Sequence, residues 1–152
     1  RAASGKISAT PNGKRIGIAM EAATGDGSQI EVLPLKAEAQ SMLVEAHTGD
    51  DTILAAEMYG SVHTNTGAAG TITLGLPAAI VGMNAKFAVG AVQQLRLDPN
   101  GTETISLPST GVPGAAGKYL VADAIGETVE LVCCSAGSWR VFGYTGTWTA
   151  EP

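Results

Sequence analysis

The sequence predicts an all-β protein: an N-terminal extended arm and β-hairpin over residues 1–47, then an antiparallel β-sandwich or barrel-like domain over residues 48–152. Three observations carry that expectation. Short runs rich in β-branched residues alternate polar and apolar side chains, the period of a half-buried strand. From residue 52 onward, clusters of turn formers punctuate the chain roughly every 8–12 residues, a spacing typical of sandwiches and barrels. No stretch after residue 47 carries a long helical stripe.

Residues 1–13 have little apolar content and end in Pro11, Asn12 and Gly13. Alone they bury too little surface to offset the entropy of ordering, so they read as an arm that orders against a partner. Residues 15–20 and 29–35 alternate as strands around the turn Thr24-Gly25-Asp26-Gly27, and Pro34 confines the second strand to an edge or an end. Residues 36–47 read equally as short helix or strand, because Met42, Leu43 and Val44 are consecutive.

Residues 62–77 are the clearest pair of runs. Thr71, Thr73 and Gly75 alternate with Ile72, Leu74 and Leu76 up to Pro77, and the corner Asn65-Thr66-Gly67-Ala68-Ala69-Gly70 lies ahead of them. The pattern predicts a β-hairpin with a loop longer than two residues, in which Gly67 and Gly70 can take positive φ at no steric cost. Further strands are expected at 86–89, 95–97, 102–107, 118–122, 128–133 and 139–144. A turn at Asp98-Pro99-Asn100-Gly101, a long loop at 108–117 and a hairpin turn at Ser135–Ser138 separate them.

Charged residues make up 15% of the chain, against about 25% in ordinary proteins. A weakly charged surface rich in Gly, Thr and Ala suits tight, neutral contacts between subunits and is also found in ordinary secreted β domains. Residues 1–15 hold Arg1, Lys6, Lys14 and Arg15 and no acid, a charge of +4, while the rest carries 5 basic and 14 acidic side chains. Four basic residues without interleaved aromatics favour docking on an acidic protein neighbour, and the acidic body argues against direct nucleic-acid binding. No apolar run approaches the roughly 20 residues of a membrane span, so no membrane partner is expected. Cys133 and Cys134 are adjacent, so on a strand they point to opposite faces and do not pair; two free thiols suit synthesis in a reducing cytoplasm.

Candidate chemistry is sparse. His47 and His63 are 16 residues apart without a Cys or acid at ligand spacing, and read as surface or hydrogen-bonded histidines rather than a zinc site. Asp98, Asn100, Thr102 and Glu103 offer oxygen ligands but no calcium-loop pattern, and Asp50-Asp51 reads as a solvated pair. Ser135 and Ser138 lack a nucleophile elbow, and Gly67–Gly70 lacks the Lys and helix of a phosphate loop. The sequence therefore predicts no catalytic, metal or cofactor site and no enzyme.

Several segments carry a resemblance that composition does not. Asp51–Ala79, with its Asn65-Thr66-Gly67-Ala68 corner and its ending Leu76-Pro77-Ala78, resembles a stretch common in bacteriophage virion proteins. So do Leu95–Ile105 and Trp139–Trp148, the latter closing in Gly146-Thr147-Trp148. Ile16–Leu33 is similar to the core hairpin of phage capsid decoration (cement) proteins. The resemblance implies a homotrimeric β protein on the outer surface of an icosahedral head, made in the bacterial host cytoplasm, whose arm and hairpin clasp the major capsid protein. On that expectation Arg1, Lys6, Ile7, Lys14 and Arg15 contact the capsid. The downstream segments also occur in head and tail fibres, which leaves a receptor-binding adhesion module as the alternative.

Overall fold

The computed structural model describes residues 42–151 and, ahead of them, two short strands, β1 (Gly17–Ala19) and β2 (Val32–Pro34). These two pair antiparallel, Ile18 opposite Leu33, as the alternation around the Thr24–Gly27 turn predicts. The arm, with Arg1, Lys6, Ile7, Lys14 and Arg15, lies outside the described residues, as do residues 36–41.

The chain divides into two units, Arg1–Gln40 and Ser41–Pro152. The division falls ahead of residue 47 because β3 (Val44–Ala46) pairs with β5 (Tyr59–Thr64) in the second unit. That unit continues through β4 (Asp51–Thr52), one 3₁₀ turn at Ala55–Glu57, β6 (Ile72–Gly75), β7 (Asn84–Ala88), β8 (Leu95–Asp98) and β9 (Thr104–Ile105). β10 (Leu120–Ala122), β11 (Thr128–Ser135), β12 (Ser138–Thr145) and β13 (Thr149–Ala150) complete it.

Two mixed sheets form a sandwich. The first runs in the order β3-β5-β7-β11-β12-β9 and the second β13-β10-β8-β6-β4. From β3 to β8 the chain changes sheet at every step, so each strand pairs parallel with the strand two places on: β3 with β5, β4 with β6, β5 with β7, β6 with β8. A parallel pair needs a crossover connection. Here the opposite sheet supplies it in place of a helix. The C-terminal half is mainly antiparallel, with β11 and β12 joined at Ser135–Ser138 as the sequence predicts.

This topology corrects the reading of residues 62–77. β5 and β6 do not pair; they lie in different sheets, and the Asn65–Gly70 corner is an arch between them. Alternation reports which face of a strand is buried, and Ile72, Leu74 and Leu76 are indeed buried. It does not report the partner, and a corner of this length spans the roughly 10 Å between packed sheets. Ala68 N–H donates to the Asn65 carbonyl at 3.0 Å, and Gly67 has φ of 86° at the third turn position, where a type II turn requires it. Gly70 is not at positive φ.

The core lies between the sheets. Phe87, Leu131 and Trp139 from the first meet Ile72, Leu74, Leu95, Leu97 and Leu120 from the second, all almost fully buried. Residues 102–107 contribute only the two-residue β9; the 108–117 loop turns back through Gly111 N–H to Leu107 O, just past that strand, and reaches it through Gly114 N–H to Ile105 O. Among the described residues no helix is long and apolar enough to cross a membrane.

Candidate functional site

Parallel pairing of β3 and β5 sets Glu45 beside His63. Residues two apart on a strand share a face, so His47, just past β3, and Ser61 and Asn65 flanking His63 all belong to this row. Ser61, His63 and Asn65 face inward with 2%, 0% and 0% exposure, an unusually polar stripe for a sandwich interior. Polar groups at that depth need partners, and here they have them.

Ser61 Oγ–H donates to the Glu57 carbonyl, leaving the oxygen free to accept from His63 Nε2–H at 3.0 Å. His63 Nδ1 faces His47 Nε2 at 3.1 Å, and His47 Nδ1–H donates to Asp51 Oδ2 at 3.0 Å. Asp51 Oδ1 accepts its neighbour's Thr52 N–H at 2.7 Å. A continuous chain thus runs from the Glu57 carbonyl through Ser61, His63 and His47 to Asp51. His63 stacks on Phe87, ring centroids 5.6 Å apart, which fixes its plane.

The partners assign the tautomers. One hydrogen sits on His63 Nε2, facing Ser61, and one on His47 Nδ1, facing the Asp51 carboxylate. In neutral rings the two facing nitrogens, His63 Nδ1 and His47 Nε2, are then both bare. Two lone pairs at this distance repel unless a cation lies between them, either a shared proton or a metal ion. Burial pushes the His63 pKa below its ordinary value; the Glu57 backbone, Glu45 and the Glu57 carboxylate pull the other way, and His47 adds to the lowering. Glu45 Oε2 lies 3.9 Å from His63 Nδ1 and is buried without a hydrogen bond.

The histidines are therefore one buried pair, facing each other at 3.1 Å with two carboxylates beside it, where the sequence suggested two separate side chains without acidic neighbours. One signal was available: Glu45-Ala46-His47 on a strand puts both side chains on one face. The parallel register that brings His63 to them had no local signature.

The other candidates have structural roles. Both Glu103 oxygens accept Ala79 N–H, at 3.0 and 3.1 Å. Asp50 Oδ1 accepts Thr73 N–H at 2.7 Å across the parallel β4–β6 region. Asp50, Asp51 and Asp98 line one shallow depression, and burial followed by the Glu151 charge raises the Asp98 pKa. Ser138 Oγ accepts from Thr104 Oγ1, and Ser135 offers its carbonyl to Cys133. No protein-family model and no curated protein sequence matches the chain.

Proposed function

We propose that the chain is a structural virion protein of the decoration type, which binds the outer surface of a phage head through its N-terminal region and stabilises the assembled lattice. The observation that carries the reading, beside the sequence resemblance, is the division of the chain at Gln40. The C-terminal unit has its own continuous core, whereas the basic residues 1–15 belong to the other unit. Such a division suits a chain in which one unit supplies the basic residues that dock on an acidic neighbour and the other supplies the body. A ligand that binds the assembled lattice and not its dissociated subunits stabilises the lattice by mass action. Exposed apolar side chains on the body, including Val44, Tyr59, Phe142 and Tyr144, supply surface for contact between three copies.

The test is addition of purified chain to expanded heads that lack a decoration protein. The full chain should pellet with the heads at saturating, lattice-like stoichiometry and raise their disruption temperature. A variant lacking residues 1–13 should remain a folded trimer and stay in the supernatant. Full occupancy by that variant rules out the anchoring role.

One observation favours the alternative, an adhesion module of a head or tail fibre. The 108–117 loop is pinned to β9 yet leaves Val112 53% exposed, a pre-organised apolar tip suited to a receptor. Copy number separates the readings: hundreds per virion for decoration, a few dozen or fewer for a fibre.

A further inference from the structure

We propose that Glu45, His47 and His63 form a site for one divalent transition-metal ion of the zinc type, with His47 Nε2, His63 Nδ1 and Glu45 Oε2 as ligands. The site is independent of where the protein binds in a virion. Among the described residues, these donor atoms all lie within 4.8 Å of one another. The facing nitrogens are 3.1 Å apart. Zinc–nitrogen bonds of about 2.0–2.1 Å at a tetrahedral angle place two nitrogens about 3.3 Å apart, so a small rotation of either ring admits the ion.

What surrounds the ligands points the same way. A histidine that binds a metal commonly donates its other ring N–H to a carboxylate, a backbone carbonyl or a water, which fixes the tautomer and aims the bare nitrogen; a hydroxyl oxygen can accept in the same way. His47 donates to Asp51 and His63 to Ser61, whose own hydroxyl is anchored on the Glu57 carbonyl. Both free lone pairs are thereby directed into the same gap.

Glu45 decides between a proton and a metal. A proton shared by the two rings satisfies both nitrogens but leaves the buried Glu45 Oε2 with only a distant ion pair to His63, at 3.9 Å, and no hydrogen bond. A divalent ion satisfies all three atoms, and the carboxylate offsets part of its charge. Two imidazoles and one carboxylate suit Zn²⁺, Co²⁺, Ni²⁺ or Cu²⁺ and do not suit Ca²⁺ or Mg²⁺, which demand oxygen ligands. Three protein ligands leave a fourth position for water, and the Glu45 side chain, 36% exposed, marks the way in from the β3 edge.

The experiment uses the full untagged chain, stripped with a chelator. Zn²⁺ is titrated by calorimetry and Co²⁺ by visible absorption. The expected result is one ion per chain, with the intense visible bands of four-coordinate Co²⁺ and a thermal midpoint that rises with added Zn²⁺. Glu45→Gln keeps the shape of the side chain and should weaken Zn²⁺ binding tenfold or more and shrink the Zn²⁺-dependent rise of its own midpoint. His47→Gln should abolish binding. Less than one ion per chain at saturation overturns the site, and so does a Glu45→Gln variant that binds Zn²⁺ as tightly as the parent. Should His47→Gln fail to fold, the Glu45→Gln comparison decides alone.

Discussion

Asn65 Oδ1 accepts the backbone N–H groups of both Gly90 and Ala91, at 2.7 and 3.1 Å, from a position 25 residues earlier in the chain. Its Nδ2 donates in turn to the Gln93 carbonyl at 2.9 Å. Asn65 begins the arch that leaves β5, and residues 90–94 form the arch that leaves β7, so one fully buried side chain ties together two successive crossings between the sheets. Replacing Asn65 with Ala strands two N–H groups and one carbonyl. With unsatisfied buried groups costing about 1–3 kcal/mol each and partial relaxation allowed, Asn65→Ala should destabilise the domain by about 2–4 kcal/mol. Urea denaturation should show a lower midpoint at an unchanged slope. A loss within 0.5 kcal/mol, roughly the scale of a neutral surface change, contradicts the stapling role.

Gly90 is required for space. A Cβ there would stand 2.1 Å from Thr66 Oγ1 and 2.7 Å from Thr64 Oγ1, two hydroxyls that are themselves bonded at 2.8 Å. Gly90→Ala should therefore cost about 1–3 kcal/mol by overpacking. Adding Thr66→Ala removes the nearer hydroxyl and leaves the Thr64 contact, so the double variant should recover part of the loss. Simple additivity of the two changes in thermal melts would place the clash elsewhere.

Asn65 also shows where the sequence was legible. Its corner was recognisable as a turn, and the burial of Ile72, Leu74 and Leu76 followed from alternation alone. The hairpin of β11 and β12 was legible because a tight turn joins strands that are neighbours in the chain. The arches were not, because the pairing of β5 with β7 depends on which strand arrives alongside after an excursion through the other sheet. The histidine site failed for the same reason. Each half has a local pattern, Glu45-Ala46-His47 and Ser61-Val62-His63, but what unites them is a parallel register set by nonlocal packing.

Glu127 makes stability depend on acidity. Its carboxylate is 8% exposed and accepts N–H groups from Thr147, Ala124 and Asp123, tying the turn before β11 to the turn after β12. Burial alone would raise its pKa, but the three backbone donors outweigh burial and hold the carboxyl below its ordinary value. A depressed folded pKa gives stability that is present above the unfolded carboxyl's range and is lost as pH falls through the lower folded value. Glu127→Gln removes that charge, so it should be less stable than the parent at neutral pH, with a difference that narrows toward acid. Urea midpoints from neutral to strongly acidic pH give the comparison, and a constant difference across the series contradicts the assignment.

Cys133 and Cys134 should differ sharply in reactivity although they are adjacent. Cys133 is 1% exposed within the core, and its Sγ lies against the Ser135 carbonyl, while Cys134 is exposed on the opposite face of β11. Burial raises the Cys133 thiol pKa, partly countered by the Ser135 backbone; nearby Glu103 adds to the rise, and thiolate is the reacting species. A folded chain treated with a thiol reagent at neutral pH should therefore take up one label quickly, at Cys134. The second label should appear only at the rate of opening of the β11 region, accelerating with denaturant. In a Cys134→Ser variant the rapid phase should vanish and the slow one persist. Rapid labelling of that variant would mean that the β11–β12 hairpin opens independently of the core beneath it.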